Sequence, residues 1–391
     1  MKKFVISAPA KAILFGEHAV LYGYPAIATT IGLHCYFTVT IGDEACEEIV
    51  IDLTDLSENT IYIPVKIFNS VSCKSSILED TWTLVSKIFD RSYDDTSQHT
   101  PIYVSTCVLV YLFIRALKLK DSKCDSHLCS FINGRHSLRI EVQSDIPRGS
   151  GMGSSGAFSV AAATTILLLT GNFPLKQIWS ADKTQRELIS SLARDAECII
   201  HGTSSGLDTT ICTHGGTIVF WKDQIPVFKR INIPNVSDVT LLLVNTNIIR
   251  RTSVAVRQVS DLWKNNKSYI NSIFQEIGTI VEDVSGILDK TVTQEIKQSI
   301  SSHVIRNQYL LHELGVSNSV SNQIIDELKQ IGIPAKVTGA GCGGCVLGFI
   351  LGKHHDDTKL NDLIKSWSEH SLWAKVVSIV GTGVKYRVHL L

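Results

Sequence analysis

The sequence predicts a chain that mixes strands and helices, of class α/β or α+β, arranged as two domains. Three observations support this. Stretches with polar–apolar alternation or β-branched residues stand beside stretches with helical periodicity. The length, 391 residues, suggests two domains or three small ones. Hydrophobic residues make up 44 % of the chain, enough for a sizeable core.

Residues 4–7 and 26–40 read as strands, the second rich in Thr, Ile, Tyr, Phe and Val. Between them, Ala8 to Gly23 combines strand and turn signals. Residues 41–100 are polar and irregular and give no assignable elements. Residues 101–119 read as a helix. Ser137–Gln143 alternates polar and apolar residues, which predicts a strand. Ala157–Leu169 is an Ala/Leu-rich helical run closed by Gly171, and 184–201 is a second helix stopped by Gly202. Gly206–Thr210 reads as a turn and Gly216–Trp221 as a strand. Pro226 and Pro234 mark a looser region, and the domain boundary is expected near 225. Val239–Val244 is a buried strand, 252–330 is helical, and Cys345–Ile350 is a strand. Val376–Ile379 and Gly383–His389 are strand-like. There is no internal repeat and no low-complexity segment.

Lys+Arg and Asp+Glu are both 37, so the net charge is 37 − 37 = 0. That leaves no basic field for nucleic acid or an anionic membrane, and any anion must be bound by local architecture. The ten cysteines have no regular spacing. Pro9, Lys11 and Glu17 interrupt the first apolar stretch, so no signal peptide is expected. Ala157–Leu169 is too short to span a membrane. A cytoplasmic protein with reduced thiols follows as the expectation.

The stretch most suggestive of chemistry runs from Asp145 to Ala157. Gly149, Gly151 and Gly153 lead into Ser154 and Ser155, between the strand at 137–143 and the helix at 157–169. Glycines let backbone approach a bulky anion, and a helix N-terminus favours negative charge. The serines would cap the helix or offer hydroxyls to a metal–phosphate group. The stretch reads as a phosphate cradle, with a purely structural turn as the alternative. It lacks Gly-x4-Gly-Lys-Ser/Thr, and Ser154 stands where a dinucleotide fingerprint needs Gly.

Three other segments stand out. Lys11 lies in the apolar run Ala10–Phe15, where a buried ammonium needs a partner. Glu17 and His18 follow it; a structural histidine is the alternative for His18. Glu197 and Asp208 flank the end of the 184–201 helix, with a solvated helix charge and a turn or cap aspartate as the alternatives. Gly339–Gly344 is a second glycine loop, which alone could be a bend. Cys342 and Cys345 match Cys-x-x-Cys, but no second pair has zinc spacing and Cys345 opens a strand. Together these segments suit phosphoryl transfer. That chemistry needs a phosphate cradle, a metal held by a hydroxyl and a carboxylate, a cation, and a carboxylate at the acceptor hydroxyl. The glycine loop, Ser155 with Glu197, Lys11 and Asp208 could supply these in turn.

The combination resembles the kinase superfamily named for galactokinase, homoserine kinase, mevalonate kinase and phosphomevalonate kinase. Its three motifs look like Ser7–Gly23, Pro147–Ser155 and Lys336–Cys345, in order and across nearly the whole chain. Within it, Lys11, Gly16–Val20 and Gly23–Ala26 are most similar to the mevalonate kinase family, as are His201–Asp208 and Leu314–Ser317. The resemblance implies an α+β fold of two domains, 1–224 like ribosomal protein S5 domain 2 and 225–391 ferredoxin-like, with the active site in the cleft between them. It implies that Asp208 is the catalytic base or substrate-orienting carboxylate. Lys11 would contact the phosphates and the acceptor oxygen, its charge favouring the carboxylate of Asp208. Ser144 and Gly149, Ser150, Gly151, Met152, Gly153, Ser154 and Ser155 would line the ATP phosphates. Ser155 and Glu197 would hold Mg²⁺. Glu17, His18, Thr252, Gly339 and Ala340 would lie at the substrate, mevalonate.

The implied activity is transfer of the ATP γ-phosphoryl group to the primary hydroxyl of mevalonate, in cytoplasmic isoprenoid and sterol synthesis. The implied assembly is a homodimer, with prenyl diphosphates as inhibitors and no nucleic-acid or membrane partner. The same chemistry on phosphomevalonate or a sugar, or an inactive ligand sensor, stand as alternatives. The chain departs from the family pattern at Ala10, Met152, Gly156, Phe158 and Cys342. Gly156 replaces a usual Ala, which loosens the helix start by up to about 1 kcal/mol. Cys342 replaces a glycine, so a positive φ there would carry strain.

Overall fold

A computed structural model describes residues 2–55, 60–70, 76–89, 100–119, 136–174, 178–179, 182–202, 204–223, 227–234, 239–248, 252–352 and 357–389. The first strand, β1 (Lys2–Phe15), is longer than its sequence signal. From Ala8 onward every residue is buried, so alternation disappears and small apolar residues take over. Pro9 is accommodated where the register with β2 (Ala26–Gly42) shifts, the kind of irregularity in which a strand tolerates proline. A short 3-10 turn, Ala19–Tyr22, fills the connection between the two strands.

The 41–100 region, unassigned from sequence, contains β3 (Glu48–Leu53), β4 (Thr60–Pro64) and helix α1 (Ile77–Ile88). Helix α2 (Pro101–Lys118) is capped by Thr100. It is long and apolar enough to cross a membrane by length and composition. Ten of its residues are nevertheless buried within the fold, Tyr103, Leu109 and Phe113 among them. Then follow β5 (Ser137–Ser144), α3 (Ser154–Leu169), β6 (Ile178–Trp179) and α4 (Lys183–His201). Asp182 and Gln185 form a capping box that fixes the start of α4. Helix α3 is buried on nearly all sides, which is why its sequence is small or apolar and carries no charge.

The expected turn at 206–210 is the start of a short helix, α5 (Leu207–His214), whose N-cap Gly206 has φ 78°. Strands β7 (Thr217–Trp221) and β8 (Val227–Ile231) form a hairpin, so much of the loose stretch after Pro226 is an ordered edge strand. Beyond β9 (Val239–Asn245), the helical region resolves into α6 (Thr252–Asn265), α7 (Lys267–Ser285), α8 (Gln294–Glu313) and α9 (Ser319–Gln330). The chain continues through β10 (Ala335–Val337), β11 (Cys345–Leu351), α10 (Asp357–Glu369), β12 (Trp373–Ser378) and β13 (Lys385–His389).

Two sheets organise these elements. The first runs β4-β3-β5-β2-β1-β13-β6, with β7 also pairing β2 and β8 pairing β7. Its pairs are antiparallel except β3 with β5. The second runs β10-β11-β9-β12. Its chain order, strand–helices–two strands–helix–strand, is the ferredoxin-like arrangement. The fold is α+β, as the resemblance implied. The 224/225 division falls outside the described residues. On either side of it, β7 and β8 stay in the first sheet, to which β13 also returns.

One continuous apolar core joins the sheets: Phe15 and Ile27 belong to it, and so do Leu241, Val281 and Phe349. The Phe15 and Phe349 rings meet at 5.7 Å. A smaller cluster, including Leu242, Leu328 and Trp367, fills the other face of the second sheet.

Candidate active site

The glycine loop connects β5 to α3, and Gly149, Gly151 and Gly153 all take positive φ, between 67° and 81°. Side chains at these positions would be strained, so the pattern seen in the sequence is a backbone requirement. Gly153 is the N-cap of α3 and no side chain caps the helix. Its first turn therefore keeps backbone donors and the positive end of the dipole at the loop. Ser150 turns inward, its Oγ donating to Pro147 O at 2.6 Å, and Met152 is fully buried.

Lys11 crosses from β1 to the underside of this loop. Its N–H donates to Met152 O at 3.0 Å and its Nζ to Gly151 O at 3.2 Å. The same Nζ lies 3.2 Å from Asp208 Oδ1, at the N-terminus of α5. Lys11 is 3 % exposed and Asp208 24 %, so the ammonium is enclosed while the carboxylate faces the cleft. Two close approaches make this possible. A Cβ at Gly153 would stand 2.7 Å from Lys11 Cγ, and a Cβ at Gly156 would stand 2.8 Å from Asp208 Cβ.

Glu197, on α4, lies beside this pair and is 5 % exposed. Ser155 Oγ donates to its Oε1 at 3.3 Å, and Ser204 Oγ donates to its Oε2. His201 Nε2 lies 3.0 Å from Ser155 Oγ, within hydrogen-bond distance. Burial, then repulsion from Asp208, pushes the Glu197 carboxyl up to about 7; the two serines and Lys11 pull it back only partly. A buried carboxylate and a hydroxyl, both hard oxygen donors, suit Mg²⁺. Among the described residues, no group of three or more His, Cys, Asp or Glu side chains converges on a metal position. A cation held here would complete its shell with phosphate oxygens and water.

The second glycine loop lies against the turn after β1. His18, at φ 59°, donates from Nε2 to Ala340 O at 2.9 Å, and Thr338 Oγ1 donates to Ile13 O at 2.9 Å. The Glu17 carboxylate is enclosed and pairs with Lys336. Cys342 has φ 55°, the strained conformation anticipated where a glycine is replaced. Thr246 Oγ1 donates to Gly344 O at 2.8 Å, tying the loop to the end of β9. Thr252 is exposed at the start of α6.

On the other side of the glycine loop lies a cavity of about 350 Å³. Leu53, Asp55, Val104, Val142, Ser155 and Phe158 line it, with Ser144 at its edge. The structure thus gathers Lys11, Asp208, Glu197, Ser155 and the glycine loop at one point, and His18 with Ala340 at another. Sequence reasoning missed Ser204, His201, Lys336 and the cavity wall from β3 and α2. Lys336 carried a usable signal, a lysine between the apolar residues Ala335 and Val337, the same argument that singled out Lys11.

A cradle, a cation and a carboxylate arranged in this way define a phosphoryl-transfer site, and comparison with known proteins agrees. The model of the GHMP kinases N-terminal domain matches residues 112–216, and that of the GHMP kinases C-terminal domain matches 295–370. The chain belongs to the GHMP kinase family and is an ATP-dependent small-molecule kinase. Within that family its relatives are named more narrowly. The mevalonate kinase of Arabidopsis thaliana is 30 % identical over 365 residues, covering 88 % of this chain and 89 % of the relative. The crystal structure of Methanococcus jannaschii mevalonate kinase superposes with a TM-score of 0.70 at 21 % identity, covering 96 % of this chain and 98 % of that one. That of L. major mevalonate kinase, in complex with R-mevalonate, gives 0.64 at 18 % identity, with 96 % of both chains covered.

Proposed function

We propose that this kinase transfers the γ-phosphoryl group of ATP to the primary hydroxyl of mevalonate, giving 5-phosphomevalonate. The observation that carries the mechanism is the Lys11–Asp208 pair, 3.2 Å apart beneath the glycine loop. Asp208 accepts the proton of the acceptor hydroxyl, and Lys11 lies where charge builds on the transferring group. The loop from Gly149 to Ser155 holds the ATP phosphates through backbone N–H groups. Ser155 and Glu197 are the residues that would hold Mg²⁺, and a bound cation would neutralise phosphate charge during transfer. Leu53, Val104 and Phe158 offer apolar surface to the nucleotide base, with Ser144 at the same wall. The acceptor lies between Asp208 and the His18–Ala340 contact, with Gly339 and Thr252 at its margin.

The names of the relatives support mevalonate as acceptor. Residues 1–224 form the ATP-binding unit and 225–391 the second unit, which lends β8 and β13 to the first sheet. On this reading the enzyme is a cytoplasmic homodimer in isoprenoid and sterol synthesis, inhibited by prenyl diphosphates. The test is ADP release with MgATP and mevalonate, against galactose, homoserine and phosphomevalonate. Mevalonate-specific turnover, lowered about 10³-fold by Asp208→Asn, is expected. Turnover on another acceptor alone would overturn the substrate, and full activity in Asp208→Asn would overturn the mechanism.

A further inference from the structure

Lys336, on β10, is completely enclosed, and its Nζ meets Glu17 Oε1, also enclosed, across 319 residues of sequence. The same Nζ donates to Val337 O at 2.9 Å and stands 5.9 Å from the centre of the Phe15 ring. An enclosed lysine costs free energy unless it is paired and hydrogen-bonded, and here burial lowers its affinity for the proton while Glu17 offsets that only in part. Glu17 Oε2 has no hydrogen-bond partner among the described residues. The lysine is therefore the main restraint on this carboxylate.

The pair does not stand alone. Lys336 on β10, Thr338 just beyond it and Ala340 in the turn that follows all reach the same partner segment: Lys336 to Glu17, Thr338 to Ile13 O, Ala340 O to His18. That partner begins two residues after Lys11. Its conformation is not relaxed. Gly16 has φ 97° and a Cβ there would stand 2.5 Å from Ala26 Cα, while His18, a non-glycine residue, has φ 59°. A turn of this kind persists only when its surroundings hold it.

The structure assigns Lys336 a positioning role: through Glu17 it holds the Gly16–His18 turn against the second glycine loop, and so shapes the acceptor side of the cleft. Lys336 touches no reacting group, and it acts on the acceptor rather than on ATP, whose cradle is built from other elements. The inference rests on the mevalonate reading above.

The test is a cycle of Lys336→Met, Glu17→Gln and the double variant, with melting temperature and KM for both substrates measured beside the wild type. In Lys336→Met the KM for mevalonate rises 10-fold to 100-fold, in line with the sensitivity of such sites to displacements near 1 Å, while the KM for ATP stays within about 2-fold. Glu17→Gln raises the acceptor KM likewise, and the double variant is no worse than Lys336→Met, because both residues act through one contact. If Lys336→Met does not fold, the double variant, which leaves no lone charge, carries the measurement. Wild-type KM values with only a lowered melting temperature would show a purely structural pair and overturn the proposal. Multiplying effects would also overturn it, since Glu17 would then act independently of the lysine. A wild type inactive on mevalonate but active on another alcohol would instead remove the functional reading, and this inference with it.

Discussion

Gly156→Ala sets two effects of this structure against each other. On helix propensity alone, alanine at the third position of α3 stabilises by up to about 1 kcal/mol. The neighbourhood opposes it. The added Cβ would stand 2.8 Å from Asp208 Cβ and 3.2 Å from Asp208 C, where carbon atoms need about 3.5–4.0 Å. Helix α5 must then withdraw by close to 1 Å. Lys11 cannot follow, because Met152 O and Gly151 O hold it to the loop. The 3.2 Å pair opens, and a misplacement of about 1 Å at reacting groups costs up to about 10²-fold in rate. The expected outcome is a kcat/KM for mevalonate lowered 10-fold to 100-fold with unfolding free energy within about 1 kcal/mol of wild type. Steady-state kinetics and urea unfolding read the two quantities separately. Wild-type kcat/KM together with raised stability would refute the reasoning, showing that the two helices part without moving Asp208.

Other consequences are equally open to measurement. Lys11→Met removes the enclosed cation and lowers kcat by about 10²–10³-fold while leaving ATP binding measurable; unchanged kcat would exclude Lys11 from the transfer step. Because the Glu197 carboxyl is raised from 4.5 to about 7, the folded protein retains a proton that the unfolded chain loses between those values. Its contribution to stability therefore falls as pH rises through that window, by about 3 kcal/mol in all. His214 works the other way: burial, with Arg186 and Arg230, lowers it to about 4, so its contribution grows as pH rises from 4 to 6.5. Melting temperature in the absence of nucleotide should change little between pH 5 and 6.5, and Glu197→Gln should unmask a rise; parallel profiles for the two proteins would contradict the assignment. Cys342→Gly relieves a left-handed non-glycine residue and raises unfolding free energy by about 1 kcal/mol, seen as a higher urea midpoint. No gain would mean that the Sγ contacts with Gln258 and Gly315 offset the strain.

What was legible in the sequence is what local chemistry dictates. Three alternating glycines before a helix demand positive φ, and a lysine in an apolar strand demands a partner, so the loop and Lys11 were readable without neighbours. Asp208 was readable as a carboxylate but not as the start of a helix, because a run of only eight residues between glycines looks like a turn. Strands β3 and β4 carried a local signal that was missed: both alternate apolar and polar residues and they pair with each other as sequence neighbours, although the polar stretches around them hid the pattern. The partner of Glu17 could not be read locally: Lys336 is a residue that only the folded chain brings near. The cavity beside the glycine loop was invisible in sequence, since β3, β5, α2 and α3 each supply part of its wall.

The placement of β13 beside β1 bears on the order in which the molecule is made. Lys3 to Ser7 lie opposite Lys385 to His389, so the earliest strand waits for one of the latest. During synthesis the ribosome must deliver β9 to β12 before the first sheet can gain this strand, and β1 presents an open edge until then.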